Sequence, residues 1–231
     1  MREGDVEDRG VLSARIRAAF DGCYEAQRAA ALSGVPVSTV YLWARQQLVE
    51  PSVSRRRVKL WSYADLMALR VVYWLRHPKQ SQNRRIAASP MPRVREALAE
   101  LENLGLDIWD DRSGAAYSPL HVDAAGKIWV HADGIPATSR QQGIADFLDL
   151  LGPFAVGQLK GPDLLRPRPS LRIIPGKLSG EPHLAGSRIT TQAAAALYEH
   201  IPDVAQIADL YAGFEVGIFE EAIQFEHSLA A

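Results

Sequence analysis

Three consecutive arginines, Arg55, Arg56 and Arg57, followed closely by Lys59, are the residues of this chain best suited to bind a charged partner. Each carries a positive charge and several hydrogen-bond donors, so each can contact a phosphate oxygen of a polyanion. A basic run of this kind also occurs in ordinary solvated loops. Its meaning therefore depends on the charge around it and on the elements that position it.

The net charge of the chain conceals two segments of opposite sign. The 231 residues include 26 Lys and Arg against 27 Asp and Glu, which gives a formal net charge of −1. Residues 22–90 contain eleven basic residues and three acids, whereas residues 191–231 contain seven acids and neither Lys nor Arg. This asymmetry predicts a polyanion partner for the first segment only.

Other arrangements that carry chemistry are not recognisable in the sequence. The single cysteine, Cys23, excludes a disulfide framework and a cysteine-based zinc site, and the six histidines show no close metal-ligand spacing. No nucleophile is paired with a base, and the Gly-rich loop over 175–186 lacks the Lys and Ser or Thr that end a P-loop. We therefore expect no catalytic residue, no metal site and no cofactor.

The elements around the arginines are predicted to be two short helices, a hairpin and a third helix. The first helix, over 24–33, ends at Gly34, and Pro36 prevents its continuation. Ser38 is a suitable cap for the second helix, which is predicted to run to residue 48. Two short helices joined by a Gly-containing turn can place the polar face of the second helix in a major groove.

The arginines themselves are predicted to lie in a small two-stranded wing. Val53, Val58 and Leu60 alternate around the basic run, as in a short hairpin. Ser62 then precedes a helix over 63–76 that has an apolar stripe at helical spacing. Helix, turn, helix, wing and helix, combined with the positive charge, favour DNA binding by residues 22–90.

Residues 24–76 resemble the DNA-binding domain of MerR-like regulators. The matching residues lie in the helices, in the turn and on the approach to the wing: Tyr24, Ala30 to Val37, Trp43, Leu48, Pro51, Tyr63, Asp65 and Leu66. The resemblance implies that the second helix reads base edges and that the wing binds phosphates. It implies base contacts by Ser38, Thr39, Tyr41 and Arg45. It implies phosphate contacts by Arg55, Arg56, Arg57 and Lys59.

The middle of the chain, residues 91–165, is predicted to be a small α+β connector. An amphipathic helix over 94–104 ends at Gly105, and residues 120–130 form a β-hairpin. Residues 152–169 are rich in Gly and Pro and are expected to connect two domains. The helix is shorter than the coiled coil that generally follows the DNA-binding domain in metal- or drug-sensing MerR-like regulators.

The C-terminal domain, residues 166–231, is predicted to consist of an irregular loop followed by three helices. Thr190 or Thr191 can cap the first helix, Asp203 can cap the second, and a turn at Gly213 precedes the third. The spacing again suits a helix-turn-helix, but seven acids with no basic residue among them would be repelled by phosphate. We therefore expect this domain to pack or pair with protein.

The C-terminal loop and helices resemble a small domain of bacterial antitoxins. The residues of the loop that carry the resemblance are Pro175, Gly180, Pro182, Gly186 and Arg188. Those that carry it after the loop are Ile189, Ile207, Ala208 and Tyr211. Ile201 and Pro202 depart from the pattern, which has a Gly before the second helix. The combination with a MerR-like N-terminal domain is similar to VapB-type antitoxins, which are paired with PIN-domain ribonuclease toxins of the VapC type.

The sequence therefore predicts a mainly α-helical protein in four parts. They are an N-terminal arm (1–21), a winged helix-turn-helix (22–90), a connector (91–165) and a three-helix domain (166–231). The resemblance implies a non-enzymatic homodimer that neutralises a PIN-domain ribonuclease and binds operator DNA to repress its own operon. A MerR-like regulator that responds to a small molecule bound in the middle region is the alternative.

A cytoplasmic location is expected on two grounds. The longest apolar run is shorter than the roughly 18 residues that a membrane-spanning helix needs. The acids that precede the first short apolar stretch are atypical of a secretory signal.

Overall fold

Helices are the main secondary structure on both sides of a central region of short strands, as the computed structural model shows. The structure describes residues 13–81, 84–104, 110–112, 115–117, 119–130, 144–146, 151–156 and 159–230. The first twelve residues of the predicted N-terminal arm, and the predicted helix end at Gly105, lie outside the described residues. The prediction of a mainly helical protein is confirmed.

The helices fall into an N-terminal and a C-terminal group. Helix α1 includes residues 13–21, and it is followed by α2 (Ala26–Ser33), α3 (Val37–Arg45), α4 (Tyr63–Arg76) and α5 (Met91–Asn103). The C-terminal group comprises α6 (Thr191–His200), α7 (Val204–Asp209) and α8 (Val216–Ala230). No helix in the described part of the chain is long and apolar enough to cross a membrane.

The strands form small antiparallel sheets. Among the described residues, four two-stranded pairs are β1 (Lys79–Ser81) with β2 (Arg84–Ile86), β3 (Asp110–Arg112) with β4 (Ala115–Tyr117), β8 (Phe154–Val156) with β9 (Leu159–Gly161), and β10 (Leu171–Arg172) with β11 (His183–Leu184). A three-stranded sheet has β5 (Leu120–Asp123) between β6 (Ile128–Val130) and β7 (Ile144–Asp146). The predicted hairpin over 120–130 is confirmed by the pairing of β5 with β6, to which the structure adds β7.

The first two helices of the basic segment meet at a tight turn. Helix α2 ends at Gly34, whose φ of 73° lies in the left-handed region, as its type predicts. Helix α3 begins directly after Pro36, whose carbonyl accepts hydrogen bonds from the amides of Thr39 and Val40 at 2.9 and 3.0 Å.

The prediction that Ser38 caps this helix is wrong, because Ser38 lies inside the first turn of α3. Pro36 occupies the N-cap position with a φ of −55°, and no side chain accepts a hydrogen bond from the first amides of the helix. The helix also ends earlier than predicted, at Arg45, since Gln47 adopts a left-handed φ of 54°. Helix α3 is therefore a short, sharply bounded element.

Helix α4 agrees closely with its sequence pattern. Ser62 and Asp65 form a capping box, in which the Ser62 hydroxyl accepts from the Asp65 amide at 3.2 Å and the Asp65 carboxylate accepts from the Ser62 amide at 2.8 Å. The predicted stripe is buried, with Leu66, Leu69 and Val72 fully inaccessible. This helix forms the centre of the N-terminal part.

One hydrophobic core joins the two oppositely charged segments. Tyr24 and Trp61 from the basic segment and Phe219 from the acidic segment belong to the same cluster of buried side chains. Helix α8 packs against α6 and α7 and also contacts α2. The acidic segment therefore folds directly onto the basic one.

Residues 161–164, which lie in the stretch predicted to connect two domains, are packed against α2 and α4. Leu164 is fully buried, and its carbonyl accepts a hydrogen bond from the Tyr63 hydroxyl at 2.8 Å. A Cβ at Gly161 would lie 3.0 Å from the Ser33 carbonyl oxygen. These residues form part of the core instead of a free linker, and local Gly and Pro content does not reveal such contacts.

The C-terminal helices begin where their caps predict. The Thr190 hydroxyl accepts from the Ala193 amide at 3.1 Å, and the Asp203 carboxylate accepts from the Ala205 amide at 2.9 Å. The turn before α8 contains Gly213, whose φ is 94°. These local signals are confirmed.

Candidate nucleic-acid interface

Helix α3 presents a continuous exposed face. Ser38, Tyr41 and Arg45 lie on the side away from the core, whereas Val40 and Trp43 on the opposite face are buried. Residues three and four positions apart share a helix face, so these three side chains lie together. Thr39 lies at the edge of this face. The structure thus brings together three of the four predicted base-contacting residues.

Sequence reasoning missed Leu42, which lies on the same face and is 40% exposed. An exposed leucine four positions after Ser38 contributes little to the core of this helix. Apolar side chains at such a position can contact the methyl group of thymine. Helical spacing already leaves Leu42 outside the inward stripe of Val40 and Trp43, but the base contacts implied by the resemblance do not include it.

The predicted phosphate contacts lie in residues 54–60, here called the arginine loop. The backbones of Ser54 and Leu60 exchange hydrogen bonds of 3.2 and 3.0 Å, and the Ser54 hydroxyl donates to the Val58 carbonyl at 2.8 Å. Val58 is 56% exposed. The predicted alternation of Val53, Val58 and Leu60 would place Val58 toward the core, and this prediction is wrong. The loop is closed by a single pair of backbone hydrogen bonds, and the Val58 side chain does not pack against the core.

The basic side chains of this loop differ in their contacts. Arg56 and Arg57 are exposed, while Arg55 forms an exposed ion pair with Glu50, with 3.0 Å between Nη1 and Oε2. The half-buried Lys59 donates from Nζ to the Arg55 carbonyl at 3.3 Å. Exposed ion pairs are weak and easily exchanged, so Arg55 can still turn to a phosphate.

Asp65 fixes the base of the arginine loop to α4. Its Oδ2 accepts hydrogen bonds from the Ser52 amide and hydroxyl, both at 2.9 Å, in addition to the capping bond from the Ser62 amide. The Ser52 hydroxyl also lies 2.8 Å from that of Ser62. Burial raises the pKa of the Asp65 carboxyl, and the hydrogen bonds from Ser52 and Ser62 oppose this rise. One carboxylate therefore holds both ends of residues 52–62 at the start of α4.

The arginine loop is also joined to α2 and α3. The Tyr24 and Trp61 backbones pair through two hydrogen bonds of 2.9 Å, just before α2 and just after the loop. The Tyr41 ring meets the Trp61 indole edge to face, with 6.2 Å between their centroids. These contacts join the exposed face of α3 to the arginine loop and to the residue just before α2.

A groove of about 370 Å³ lies beside α3, between α4 and the start of α5. Its walls include Thr39, Trp43, Tyr73 and His77, and the last two rings stack with 3.9 Å between centroids. Arg95 of α5 donates to the carbonyl of Gln46 at 3.3 Å, directly after α3. The groove therefore shares a wall with the exposed face of α3.

The residues predicted to shape the C-terminal loop separate into two kinds. Gly180 and Pro182 are buried, whereas Pro175, Gly186 and Arg188 are more accessible. Gly180 lies against Tyr24, just before α2, and the Pro182 carbonyl accepts from the Thr191 amide at 2.9 Å. This loop contains no residue of the exposed α3 face.

The described part of the chain holds no group of three or more His, Cys, Asp or Glu side chains that could bind a metal ion. No family model matches the chain, and neither a curated protein nor a solved structure matches it.

Proposed function

We propose that this chain is a DNA-binding antitoxin in which residues 22–90 act as a winged helix-turn-helix of the MerR-like type. The observation that carries the DNA-binding part is the exposed polar face of α3 beside an arginine loop that Asp65 fixes to α4. Helix α3 would read operator bases, and the arginine loop would be the wing that binds phosphates.

The dimensions of α3 suit this role. Its nine residues make a helix about 13 Å long, and the major groove of DNA, about 12 Å wide, admits a helix. Arg45 can donate two hydrogen bonds to a guanine, while Ser38 and Tyr41 offer hydroxyl groups. Specificity would therefore come from α3.

Affinity that does not depend on sequence would come from the arginine loop. Positively charged side chains that neutralise phosphates release counterions, so binding weakens as salt concentration rises. Arg56 and Arg57 are exposed, and Arg55 needs only to leave Glu50. The salt dependence of binding thus reports directly on this loop.

Replacing Arg55, Arg56 and Arg57 by Ala tests this assignment. The slope of log K against log salt should fall by about 0.9 for each phosphate that these side chains no longer neutralise, for operator and unrelated DNA alike. A matched control replaces three arginines of the C-terminal half, Arg166, Arg168 and Arg188, and removes the same charge. Fluorescence anisotropy at several salt concentrations measures both; equal slopes for the wild type and the loop variant would refute the assignment.

The antitoxin part of the proposal is supported by a surface at the turn between α7 and α8. Leu210 and Val216 are 62% and 39% exposed there, and acids stand beside them at Asp209, Glu215 and Glu220. A ribonuclease must bind a polyanion and therefore needs a basic surface near its active site. An acidic rim around exposed apolar residues is complementary to such a surface.

The partner is tested with a PIN-domain ribonuclease encoded by the neighbouring reading frame, co-expressed with this chain. Leu210→Arg should weaken the complex at least about tenfold, because it places a positive charge opposite a basic surface. Leu165→Arg is the matched control, since Leu165 is another exposed leucine elsewhere on the chain. Absence of any such neighbour, or of a complex with it, would overturn the antitoxin proposal.

A second candidate function is a regulator that responds to a small molecule. The groove beside α3 favours it, because a ligand there would contact Thr39 and the aromatic pair of Tyr73 and His77. Much of the middle region first expected to hold such a ligand lies outside the described residues. A DNA-binding chain with no ribonuclease partner would favour this candidate.

A further inference from the structure

Arg28 of α2 is bound by two carboxylates from the C-terminal part of the chain. Its Nε and Nη2 donate to Oε2 of Glu181 at 3.0 and 2.8 Å, and Nη1 and Nη2 donate to the Glu226 oxygens at 2.7 and 2.9 Å. The Arg28 side chain is only 10% exposed. Glu181 thus binds one edge of the planar guanidinium and Glu226 binds another, which fixes its orientation as well as its position.

The surrounding contacts hold the same loop against the start of α2. The Tyr24 hydroxyl donates to the Gly180 carbonyl at 2.8 Å, and the Cys23 amide donates to the Ser179 carbonyl at 3.1 Å. The Thr191 hydroxyl donates to the Glu226 carboxylate, which joins α6 to the same network. The loop before Glu181, α6 and α8 therefore converge on one face of α2.

Helix α2 is the element against which α3 packs, and it also contacts α4. Ala29 and Leu32 of α2 and Val40 of α3 are fully buried in the shared core. A change in the position of α2 must therefore move α3, whose exposed face holds the proposed base contacts. Arg28 can therefore influence the position of α3 through α2, without contacting DNA itself.

We infer that Arg28 is a positioning residue for the reading helix, and that Glu181 and Glu226 belong to the DNA-binding machinery although they lie in the C-terminal part. The inference rests on the proposed DNA binding. A buried ion pair often adds little net stability, because desolvation offsets the attraction. The four hydrogen bonds of Arg28 nevertheless require one relative position of α2, Glu181 and Glu226. The acidic segment thus supports specific DNA binding, in addition to any contact with a partner protein.

Removal of the two carboxylates separates this role from a general charge effect. Loss of negative charge should strengthen binding to any DNA. The positioning role has the opposite consequence for specific DNA, because α3 loses its alignment. The double variant Glu181→Gln and Glu226→Gln should therefore bind a specific duplex at least about tenfold more weakly, while its binding to unrelated DNA is unchanged or stronger.

The experiment uses the full chain, a duplex selected by the wild type from a random pool, and a scrambled duplex of the same composition. Glu221→Gln is the matched control, since Glu221 also lies on α8 but accepts from the Ser170 amide. Arg28→Met should show the same selective loss, and Arg28→Lys should recover part of it. Circular dichroism identifies folded variants, and the single Gln variants replace the double variant if it unfolds.

Each outcome bears on the inference. Selective loss of specific binding, with an unchanged salt slope from the arginine loop, supports it. Equal changes for both duplexes, or none in folded variants, overturn it while leaving the proposed DNA binding intact. Failure of the wild type to select any duplex would overturn the DNA-binding proposal and this inference with it.

Discussion

At the scale of residues, Asp65 performs two tasks, and only one of them is visible locally. A Ser followed three residues later by an acidic residue indicates a helix start, and the capping box of Ser62 and Asp65 confirms it. The hydrogen bonds to Ser52 join residues thirteen positions apart. No local pattern encodes that second contact, so the anchoring of the arginine loop could not be predicted.

His183 gives a residue-scale prediction about pH. It is fully buried, its Nδ1 lies 3.0 Å from the Glu181 carbonyl, and burial lowers the pKa of its imidazole below 6.5. As pH falls below 6.5, the unfolded chain takes up a proton at His183 before the folded protein does. The free energy of unfolding should therefore decrease, by at most about 1.4 kcal/mol per pH unit from this group.

Urea denaturation at pH 7.5 and pH 5.5 measures this effect. The loss of stability between the two conditions should be smaller in His183→Gln than in the wild type, because glutamine does not titrate. The same loss in both proteins would show that His183 does not contribute to the pH dependence.

At the scale of elements, the predictions succeeded where neighbouring residues determine the structure. Thr190 and Asp203 cap their helices as expected, and Ser62, which was expected to precede α4, caps that helix, since a cap depends on amides two or three residues away. The predicted cap at Ser38 was wrong because Pro36 already occupies the N-cap position of α3. The predicted inward position of Val58 was wrong because the arginine loop does not pack this side chain against the core. Competing local signals and missing tertiary contacts explain these errors.

The C-terminal loop allows an element-scale prediction from two glycines. Gly180 and Gly186 have nearly the same φ, 72° and 75°, but a Cβ at Gly180 would overlap the Tyr24 hydroxyl, whereas nothing lies within 4 Å of one at Gly186. Gly186→Ala should cost about 1–2 kcal/mol from backbone strain alone. Gly180→Ala should cost roughly 2–5 kcal/mol, because overpacking against Tyr24 and Asp21 is added to the strain.

Chemical denaturation of both variants and the wild type tests the comparison. Since the backbone strain is matched, the difference in stability between the two variants isolates the contact of the loop with Tyr24 and Asp21. Equal losses of stability would mean that this loop does not press on Tyr24 in solution.

At the scale of the whole molecule, the charge divides the chain into two segments, whereas the hydrophobic core joins them. The net charge of −1 separates along the chain into a basic and an acidic segment, and the exposed α3 face was predictable from that separation and from helical spacing. The bridge from Arg28 to Glu181 and Glu226 was not, because its partners are 153 and 198 residues apart in sequence. The charge distribution indicated a basic and an acidic module in one chain, and the buried cluster contains residues of both.

A shared core predicts that both segments unfold together. Chains with separate domains generally unfold in more than one step, but a common cluster that includes Tyr24, Leu164 and Phe219 couples the segments energetically. All five tryptophans lie at or before Trp129 and none lies in α6 to α8, whereas far-ultraviolet circular dichroism also reports on those three helices. The two signals should give the same thermal midpoint. A later or earlier transition in circular dichroism would show that the acidic segment unfolds independently, and the core contact would then be too weak to position α2.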